Sequence, residues 1–309
     1  MSFFKNIKTE NIELKLPFLK DDGFEIFMKR EDLIHPIISG NKFRKLKYNI
    51  EKFKKNKNST LITFGGAYSN HLLAVSYIAK IENINSIAFV RGDELGVLPL
   101  NSTLQRCFDN GMEFKFISRE KYRFRNDSDF LKNLSSKYNN AFIIPEGGTN
   151  DLGILGCEEI LTLRDKNFFD VICVPVGSGG TFSGLINSSL KKQKILGFSA
   201  LKNSNIINVI NKFVNKNNWE LIDEDLFGGY AKSNQNLIHF INKFYNDSNI
   251  KLDPIYNSKM IFKILEIIKQ NKWIYGKKIL IVNTGGLQSV ESFNKTLKNK
   301  KCATINYSL

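Results

Sequence analysis

Short runs of apolar and β-branched residues recur along the chain, and each is followed by a turn and then by a stretch with helical spacing. This alternation is typical of βα units built around a parallel sheet, so the predicted fold class is α/β. The predicted strands are residues 60–64, 86–90, 113–118, 141–145, 171–176 and 278–283. The predicted helices are residues 70–81, 99–111, 127–138, 152–163, 181–192 and 287–297. The run VICVPV is apolar at every position, as expected of a strand that helices cover on both faces.

The length of 309 residues allows one large domain or two medium-sized ones. Apolar residues make up 42% of the chain, which is enough for a substantial core and argues against disorder. Two lobes are therefore expected. No internal repeat or low-complexity linker marks the boundary between them.

The chain is basic, with 45 Lys and Arg against 30 Asp and Glu and a formal net charge of +15. Such a surplus can indicate a nucleic-acid or anionic-membrane partner. Here it is spread from Lys5 to Lys301, and its densest pieces, residues 52–57 and 298–301, lie beside Asn. This pattern favours solvated faces and helix ends. No nucleic-acid partner is predicted, and nucleic-acid binding is the alternative.

The four cysteines, Cys107, Cys157, Cys173 and Cys302, lie far apart and form no CxxC pair. Neither a metal site nor a disulfide framework is predicted, and a reducing compartment fits best. The first residues lack the apolar region of a signal peptide, and no stretch approaches the ~18 apolar residues of a membrane helix. A soluble cytoplasmic protein without a membrane partner is expected.

Four glycine-containing turns follow predicted strands, and ligands of open α/β sheets bind at such strand ends. They are GGAYSNH (residues 65–71), EGGTN (146–150), GSGGT (177–181) and NTGG (283–286). GSGGT follows a buried strand and opens a helix, so its N–H groups and the hydroxyls of Ser178 and Thr181 could bind a phosphate. Phe182 stands where GxGxxG needs its third glycine, which disfavours a dinucleotide. The alternative for each turn is a purely conformational role of glycine.

A single lysine stands out in SGNKFRKLKY, where Lys42 follows Gly40 and Asn41 at the start of a basic helical stretch. A lysine in a Lys-rich chain is usually solvated. The functional interpretation is that small residues hold this lysine against a carbonyl cofactor, where desolvation makes its amine a Schiff-base nucleophile.

Seven motifs together resemble the D-cysteine desulfhydrase and 1-aminocyclopropane-1-carboxylate deaminase family. They are KREDLIHPIISGNKFRKLKY, FGGAYSNHLLAVSYIAK, IIPEGGTNDLGILGCEEI, VPVGSGGTFSGL, FGGYAKSN, LDPIYNSKM and VNTGGLQS, in order over residues 29 to 289. The resemblance implies a tryptophan-synthase-β-like (fold type II) enzyme with the cofactor pyridoxal 5'-phosphate between two parallel-sheet α/β domains. The expected large domain comprises residues 1–44 and 156–309, and the smaller inserted domain residues 45–155. A homodimer is also expected.

The resemblance also assigns roles to individual residues. Lys42 matches the family's Schiff-base lysine, and Asn70 matches the asparagine beside the cofactor's 3-hydroxyl. Ser69 and His71 match the loop that receives the substrate carboxylate. The matches to the phosphate-binding turn are Gly177, Ser178, Gly179, Gly180 and Thr181. The matches near the substrate and the cofactor ring are Tyr230, Tyr256, Asn257 and Thr284.

Two positions bear on the substrate. The deaminases of the family carry Glu after the tyrosine of the DPxY motif and Leu before the last two glycines, whereas the desulfhydrases carry Thr at both. This chain has Asn257 and Thr284 there. A neutral amide cannot hold the cofactor's pyridine nitrogen protonated as a carboxylate would. The predicted substrate is D-cysteine or a related β-substituted D-amino acid, although Asn257 is not Thr and Asn283 replaces a histidine common before the last turn.

The expected reaction uses Lys42 to hold the cofactor and then to take the Cα proton of the substrate. Loss of the β-thiol would give sulfide, and the released aminoacrylate would hydrolyse to pyruvate and ammonia. The alternatives are an aminocyclopropane-carboxylate deaminase, a serine or threonine racemase or dehydratase, and a cofactor-binding protein with little catalysis. Retention of Lys42, Ser69, Asn70 and Tyr256 argues against the last.

Overall fold

A computed structural model describes residues 3–4, 7–16, 23–139, 141–200, 205–223, 227, 229 and 232–307. The chain divides into two compact units. The large unit comprises Met1–Ile34, Ser39–Asn41 and Cys157–Leu309, and the small unit comprises His35–Ile38 and Lys42–Gly156. Each unit contains one sheet.

Strands and helices alternate through most of the chain. The strands are β1 (Asn11–Glu13), β2 (Glu25–Lys29), β3 (Thr60–Gly65), β4 (Asn85–Arg91), β5 (Met112–Ile117), β6 (Phe142–Ile144), β7 (Val171–Val176), β8 (Lys194–Ser199), β9 (Trp219–Ile222) and β10 (Lys278–Val282). The helices are α1 (Asn41–Lys55), α2 (Asn70–Ile81), α3 (Ser102–Asp109), α4 (Ser128–Lys137), α5 (Asp151–Glu158), α6 (Leu163–Phe168), α7 (Gly180–Ser188), α8 (Ile206–Asn211), α9 (Gln235–Ser248), α10 (Asn257–Lys269) and α11 (Ser289–Asn299).

The sheet of the large unit has the strand order β1-β2-β10-β7-β8-β9, in which β1 is antiparallel to β2 and all other pairs are parallel. In register, Ile279 of β10 lies opposite Ile26 of β2 and Val171 of β7. Because these three neighbouring strands are parallel, the turns that follow them meet at one edge of the sheet.

The strand β7 is buried along its whole length, as its sequence predicts. Val171 and Cys173 pack in a cluster with side chains of α10, whereas Ile172 and Val174 pack in a second cluster with side chains of α7. Helices therefore cover both faces of this strand, which is why it carries no polar face.

The sheet of the small unit has the order β5-β4-β3-β6 and is parallel throughout. Thr63 of β3 lies opposite Ile144 of β6, so the turns that follow these two strands also meet at one sheet edge. A core cluster that includes Ile62, Phe64 and Leu134 covers one face.

The predicted α/β fold with parallel sheets is confirmed, but several predicted helices were too long. The helix expected over residues 99–111 spans Ser102–Asp109, and the helix expected over residues 181–192 ends at Ser188. The helix expected near residues 152–163 ends at Glu158, and α6 begins after Thr162. The cause is a capping box, in which the Thr162 hydroxyl accepts from the Asp165 amide and the Asp165 carboxylate accepts from the Thr162 amide. Along the described part of the chain, no helix is long and apolar enough to cross a membrane.

Asp165 also forms a buried ion pair with Lys29, at 2.8 Å between carboxylate and Nζ, and the two side chains are 0% and 1% exposed. Asn11 donates to Asp165 Oδ1 at 2.6 Å and accepts from Lys29 Nζ at 3.1 Å. Burial alone would raise the pKa of Asp165, but the hydrogen bond and charge of Lys29 outweigh it and leave the pKa below the usual value. The pair therefore ties β1, β2 and the start of α6 together.

Lys29→Met should lower the free energy of unfolding by about 3–5 kcal/mol, because it leaves the Asp165 carboxylate buried without its counter-ion. The measurement is urea unfolding followed by circular dichroism. Lys243→Met is the matched control in the same unit, since Lys243 is 60% exposed and pairs with Asp247 on the surface of α9. The control substitution should lower the free energy of unfolding by no more than about 0.5 kcal/mol. Equal costs for the two variants would contradict the prediction.

Candidate active site

The turn after β7 has the conformation that an anion site requires. Gly179 adopts a left-handed conformation with φ +87°, and α7 begins at the next residue, Gly180. The free N–H groups at the start of a helix favour an anion. The Thr181 hydroxyl is buried and accepts a hydrogen bond from Asn41 Nδ2 at 2.9 Å.

The residues that precede Lys42 are held against the second turn of the large unit, Asn283–Gly286. Gly40 has φ +60°, and a Cβ at this position would lie 1.8 Å from the carbonyl oxygen of Thr284. The Asn41 amide donates to that same oxygen at 3.4 Å. Since Asn41 also bonds Thr181, the segment Ser39–Asn41 is tied to both turns, and Lys42 is the next residue of the chain.

Asn257 connects the DPIY turn to the Asn283–Gly286 turn. Its Nδ2 donates to Asp253 Oδ1 at 2.6 Å and to Gly285 O at 3.0 Å, and its Oδ1 accepts from the Thr284 amide at 3.0 Å. Both amide hydrogens of this fully buried side chain therefore bind protein acceptors. The neighbouring residue, Tyr256, lies against the turn after β7, with its ring 3.3 Å from where a Cβ on Gly177 would be.

Asp253 is buried beneath this turn and accepts four hydrogen bonds. The donors are the amides of Ile255, Tyr256 and Asn257 and the side chain of Asn257. Burial raises the pKa of the carboxyl, and these four bonds oppose that effect.

In the small unit, the start of α2 carries three of the predicted residues. Ser69 is the N-cap, and its Oγ accepts from the Leu72 amide at 3.3 Å. Asn70 Oδ1 is buried and has no hydrogen-bond partner among the described residues. His71 is 2% exposed, and its Nε2 lies 2.9 Å from the hydroxyl of Thr63 on β3.

The electrostatic surroundings keep His71 uncharged. Burial, and then the positive charges of Lys42 and Lys45, hold its pKa well below the usual value. Lys45 is itself 2% exposed and donates to Gly147 O at 2.9 Å and to the Thr149 hydroxyl at 3.3 Å. It therefore fixes the EGGTN turn beside His71.

The structure brings the predicted residues together in two groups, one in each unit. The large unit groups Gly177, Ser178, Gly179, Gly180, Thr181, Tyr256, Asn257 and Thr284 through the contacts above, and the small unit groups Lys42, Ser69, Asn70 and His71. Tyr230 lies outside the described residues. Its sequence neighbour Gly229 accepts a hydrogen bond from the buried Lys259 at 2.6 Å.

Sequence reasoning missed Asn41, Thr63 and Asp253 as supporting residues. Asp253 precedes Pro254, and an Asp-Pro pair before a helical pattern is a turn signal that could have identified it. Asn41 could have been noted as the polar residue between Gly40 and Lys42. Thr63 gave no signal, because a Thr inside a strand is an ordinary β-branched residue.

Comparisons with known proteins agree with this geometry. A family model described as "Pyridoxal-phosphate dependent enzyme" matches residues 8–285. A putative 1-aminocyclopropane-1-carboxylate deaminase from Thermotoga maritima is 31% identical, over 86% of this chain and 89% of that protein. A mitochondrial bifunctional D-cysteine desulfhydrase/1-aminocyclopropane-1-carboxylate deaminase from Arabidopsis thaliana is 30% identical, over 86% of this chain and 73% of that protein. The crystal structure of an ACC deaminase homologue superposes with a TM-score of 0.79, at 24% identity, over 95% of this chain and 94% of that one.

The residues present fit pyridoxal phosphate. The glycine turn and helix start at residues 177–181 suit its phosphate, and the unpartnered Asn70 Oδ1 suits a hydroxyl donor. Lys42 is the residue that the resemblance predicts to supply the amine for its aldehyde.

Gly40→Ala should lower both stability and cofactor retention, because the added Cβ would displace the Thr284 carbonyl and with it the turn on which Asn41 is held. The matched control is Gly23→Ala, since Gly23 has a similar φ of +69° but only the end of the Lys277 side chain nearby, at 3.5 Å. The control should lose only the free energy of unfolding that a left-handed backbone costs a residue with a Cβ, about 1–2 kcal/mol. Thermal melting and cofactor absorbance after desalting measure both effects. If the two variants behave alike, the close contact at Gly40 does not matter.

Proposed function

Because this chain belongs to the family of pyridoxal-phosphate dependent enzymes, we propose that it is a lyase that converts D-cysteine to pyruvate, ammonia and sulfide. The observation that carries the proposal is the double attachment of Ser39–Asn41 to the glycine turns immediately before Lys42. A backbone fixed in this way directs one lysine amine with little freedom, as a covalently held carbonyl cofactor requires.

Pyridoxal phosphate supplies, when bound, the electron sink that makes the Cα–H bond of an amino acid acidic. The chain itself must hold the phosphate, orient the substrate and move one proton. Residues 177–181 would hold the phosphate, and Lys42 Nζ would take the Cα proton. Loss of the β-thiolate from the substrate then yields aminoacrylate, which hydrolyses to pyruvate and ammonia after release.

The choice of D-cysteine rests on the surroundings of Asn257. Its side chain is neutral, and both of its amide hydrogens bind Asp253 and Gly285. It therefore offers no carboxylate to hold a pyridine nitrogen protonated, the feature that the resemblance associates with cyclopropane opening. Thr284, as in the desulfhydrases, supports the same choice.

A 1-aminocyclopropane-1-carboxylate deaminase is the second candidate. The name of the relative from Thermotoga maritima favours it, whereas the name of the relative from Arabidopsis thaliana includes both activities. The two candidates differ in their products. D-cysteine gives sulfide and pyruvate, whereas the cyclopropane substrate gives 2-oxobutyrate without sulfide.

Cofactor-loaded protein should release sulfide and pyruvate in equal amounts from D-cysteine and not from L-cysteine. Lys42→Ala should lower this rate by at least about 10³-fold, because it removes the base. Lys55→Ala, an exposed lysine at the end of the same helix, is the matched control and should leave the rate unchanged. Absence of sulfide from the cofactor-loaded protein would contradict the proposal and leave a racemase, a dehydratase or a cofactor-binding protein.

With 1-aminocyclopropane-1-carboxylate as substrate, 2-oxobutyrate should form at a small fraction of the rate of sulfide release from D-cysteine. The physical reason is the neutral side chain at position 257. The measurement is a 2-oxoacid assay with both substrates at saturation. Comparable rates would show that Asn257 does not set the substrate preference.

A further inference from the structure

All acceptor sites of the Asp253 carboxylate are occupied. Its Oδ1 accepts from the amide and the side chain of Asn257, at 2.8 and 2.6 Å. Its Oδ2 accepts from the amides of Ile255 and Tyr256, at 2.9 and 2.7 Å. A carboxylate oxygen has two lone pairs, so these four donors use all of them. A proton could bind this 1% exposed group only by displacing a donor, and the geometry is therefore that of the ionised carboxylate.

This carboxylate determines the orientation of the Asn257 side-chain amide. Its Nδ2 lies between Asp253 Oδ1 and the carbonyl oxygen of Gly285, at 2.6 and 3.0 Å, and both of these atoms can only accept. Its Oδ1 faces the amide and the hydroxyl of Thr284, at 3.0 and 3.4 Å, and both of these groups can donate. A rotation that exchanged the two ends of the amide would set its oxygen against two acceptors. Only the observed orientation satisfies all four contacts.

The Asn257 side chain in turn fixes the backbone against which the chain before Lys42 is held. It binds the N–H group of Thr284 and the carbonyl group of Gly285, which belong to the peptide groups on either side of the Thr284 carbonyl. That carbonyl accepts from the Asn41 amide at 3.4 Å. A series of contacts therefore connects the buried carboxylate to the residue that precedes Lys42.

We propose that Asp253 is a positioning residue for Lys42, because its carboxylate orients the Asn257 side chain that fixes the turn at residues 283–286. Asp253 is enclosed by its four donors and acts only through Asn257. The proposal rests on the proposed function for the role of Lys42 as the cofactor lysine. The buried carboxylate thereby limits the directions that the chain can take into Lys42.

Asp253→Asn tests this role, because asparagine keeps the shape of the side chain and replaces one accepting oxygen with an NH2 group. The variant cannot accept from all four donors, and the Asn257 side chain, which can turn, loses its acceptor. The dissociation constant of pyridoxal phosphate, measured by absorbance titration of the full-length protein, should rise about tenfold, as for the loss of one hydrogen bond. Hydrogen exchange at the Asn41 amide should become faster.

Asp165→Asn is the matched control, since Asp165 is a second buried carboxylate of the large unit and pairs with Lys29. This variant should lower the melting temperature but change the dissociation constant of pyridoxal phosphate by no more than about twofold, as expected of a distant site. A rise equal to that of Asp253→Asn would show that loss of any buried carboxylate weakens cofactor binding, which would contradict the proposal.

A double-mutant cycle distinguishes positioning from a purely structural role. If Asp253 acts through Asn257, Asp253→Asn should change the dissociation constant by no more than about twofold when Asn257 is already replaced by alanine. The bonds from the amides of Ile255 and Tyr256 are still possible in that background, so a purely structural effect of Asp253 would persist there. An equal rise in both backgrounds would overturn the proposal.

Asn257→Ala alone keeps the proposal testable if Asp253→Asn does not fold. Because it removes the side chain that connects Asp253 to the turn at residues 283–286, it should also raise the dissociation constant of pyridoxal phosphate about tenfold. An unchanged dissociation constant would overturn the proposal. None of these measurements requires turnover, so absence of sulfide release from D-cysteine would contradict the proposed function without affecting them.

Discussion

The arrangement of the large-unit turns depends on one contact between two stretches of main chain, Gly40 against the carbonyl of Thr284. No side chain can be accommodated there, since a Cβ would lie 1.8 Å from the carbonyl oxygen. The left-handed conformation of Gly40 places the Asn41 amide near that same oxygen, and the Asn41 side chain reaches Thr181 in the other turn. The direction of the chain into Lys42 is thus set by backbone geometry, which is stiffer than the rotamers of long side chains.

A polar network beneath this contact explains why position 257 departs from the family pattern. The side-chain amide of Asn257 donates to the Asp253 carboxylate and to the Gly285 carbonyl, and its oxygen accepts from the Thr284 N–H group. A Thr has only one hydrogen to donate, and a Glu would place a second carboxylate beside Asp253. In this chain Asn257 provides the side-chain N–H donor that the buried Asp253 carboxylate accepts from.

The sequence was sufficient for the parallel α/β fold, because βα units repeat a clear apolar pattern and β7 is apolar on both faces. Glycine turns at strand ends likewise indicated where residues 177–181 and 283–286 would lie. The boundary between α5 and α6 was not predictable from apolar spacing, since a capping box at Thr162 rather than hydrophobicity creates it.

Parts of the candidate site depend on contacts between residues far apart in the chain. Lys45 and Thr149 are 104 positions apart, and Thr63 and Ile144 are 81 positions apart. Neither pair has a local signal, so the surroundings that keep His71 uncharged could only come from the fold. The short edge strand β1 was missed for a different reason, because 3 residues are too few to show a period.

The buried carboxylate of Asp253 also has a kinetic consequence. It accepts the amide hydrogens of Ile255, Tyr256 and Asn257, and it is 1% exposed. Solvent can reach those hydrogens only through a local opening that hydrates the carboxylate and separates it from Asn257. These amides, at the end of the loop between α9 and α10 and at the first residue of α10, should therefore exchange as slowly as the core of a helix, although Ile255 and Tyr256 lie outside regular secondary structure.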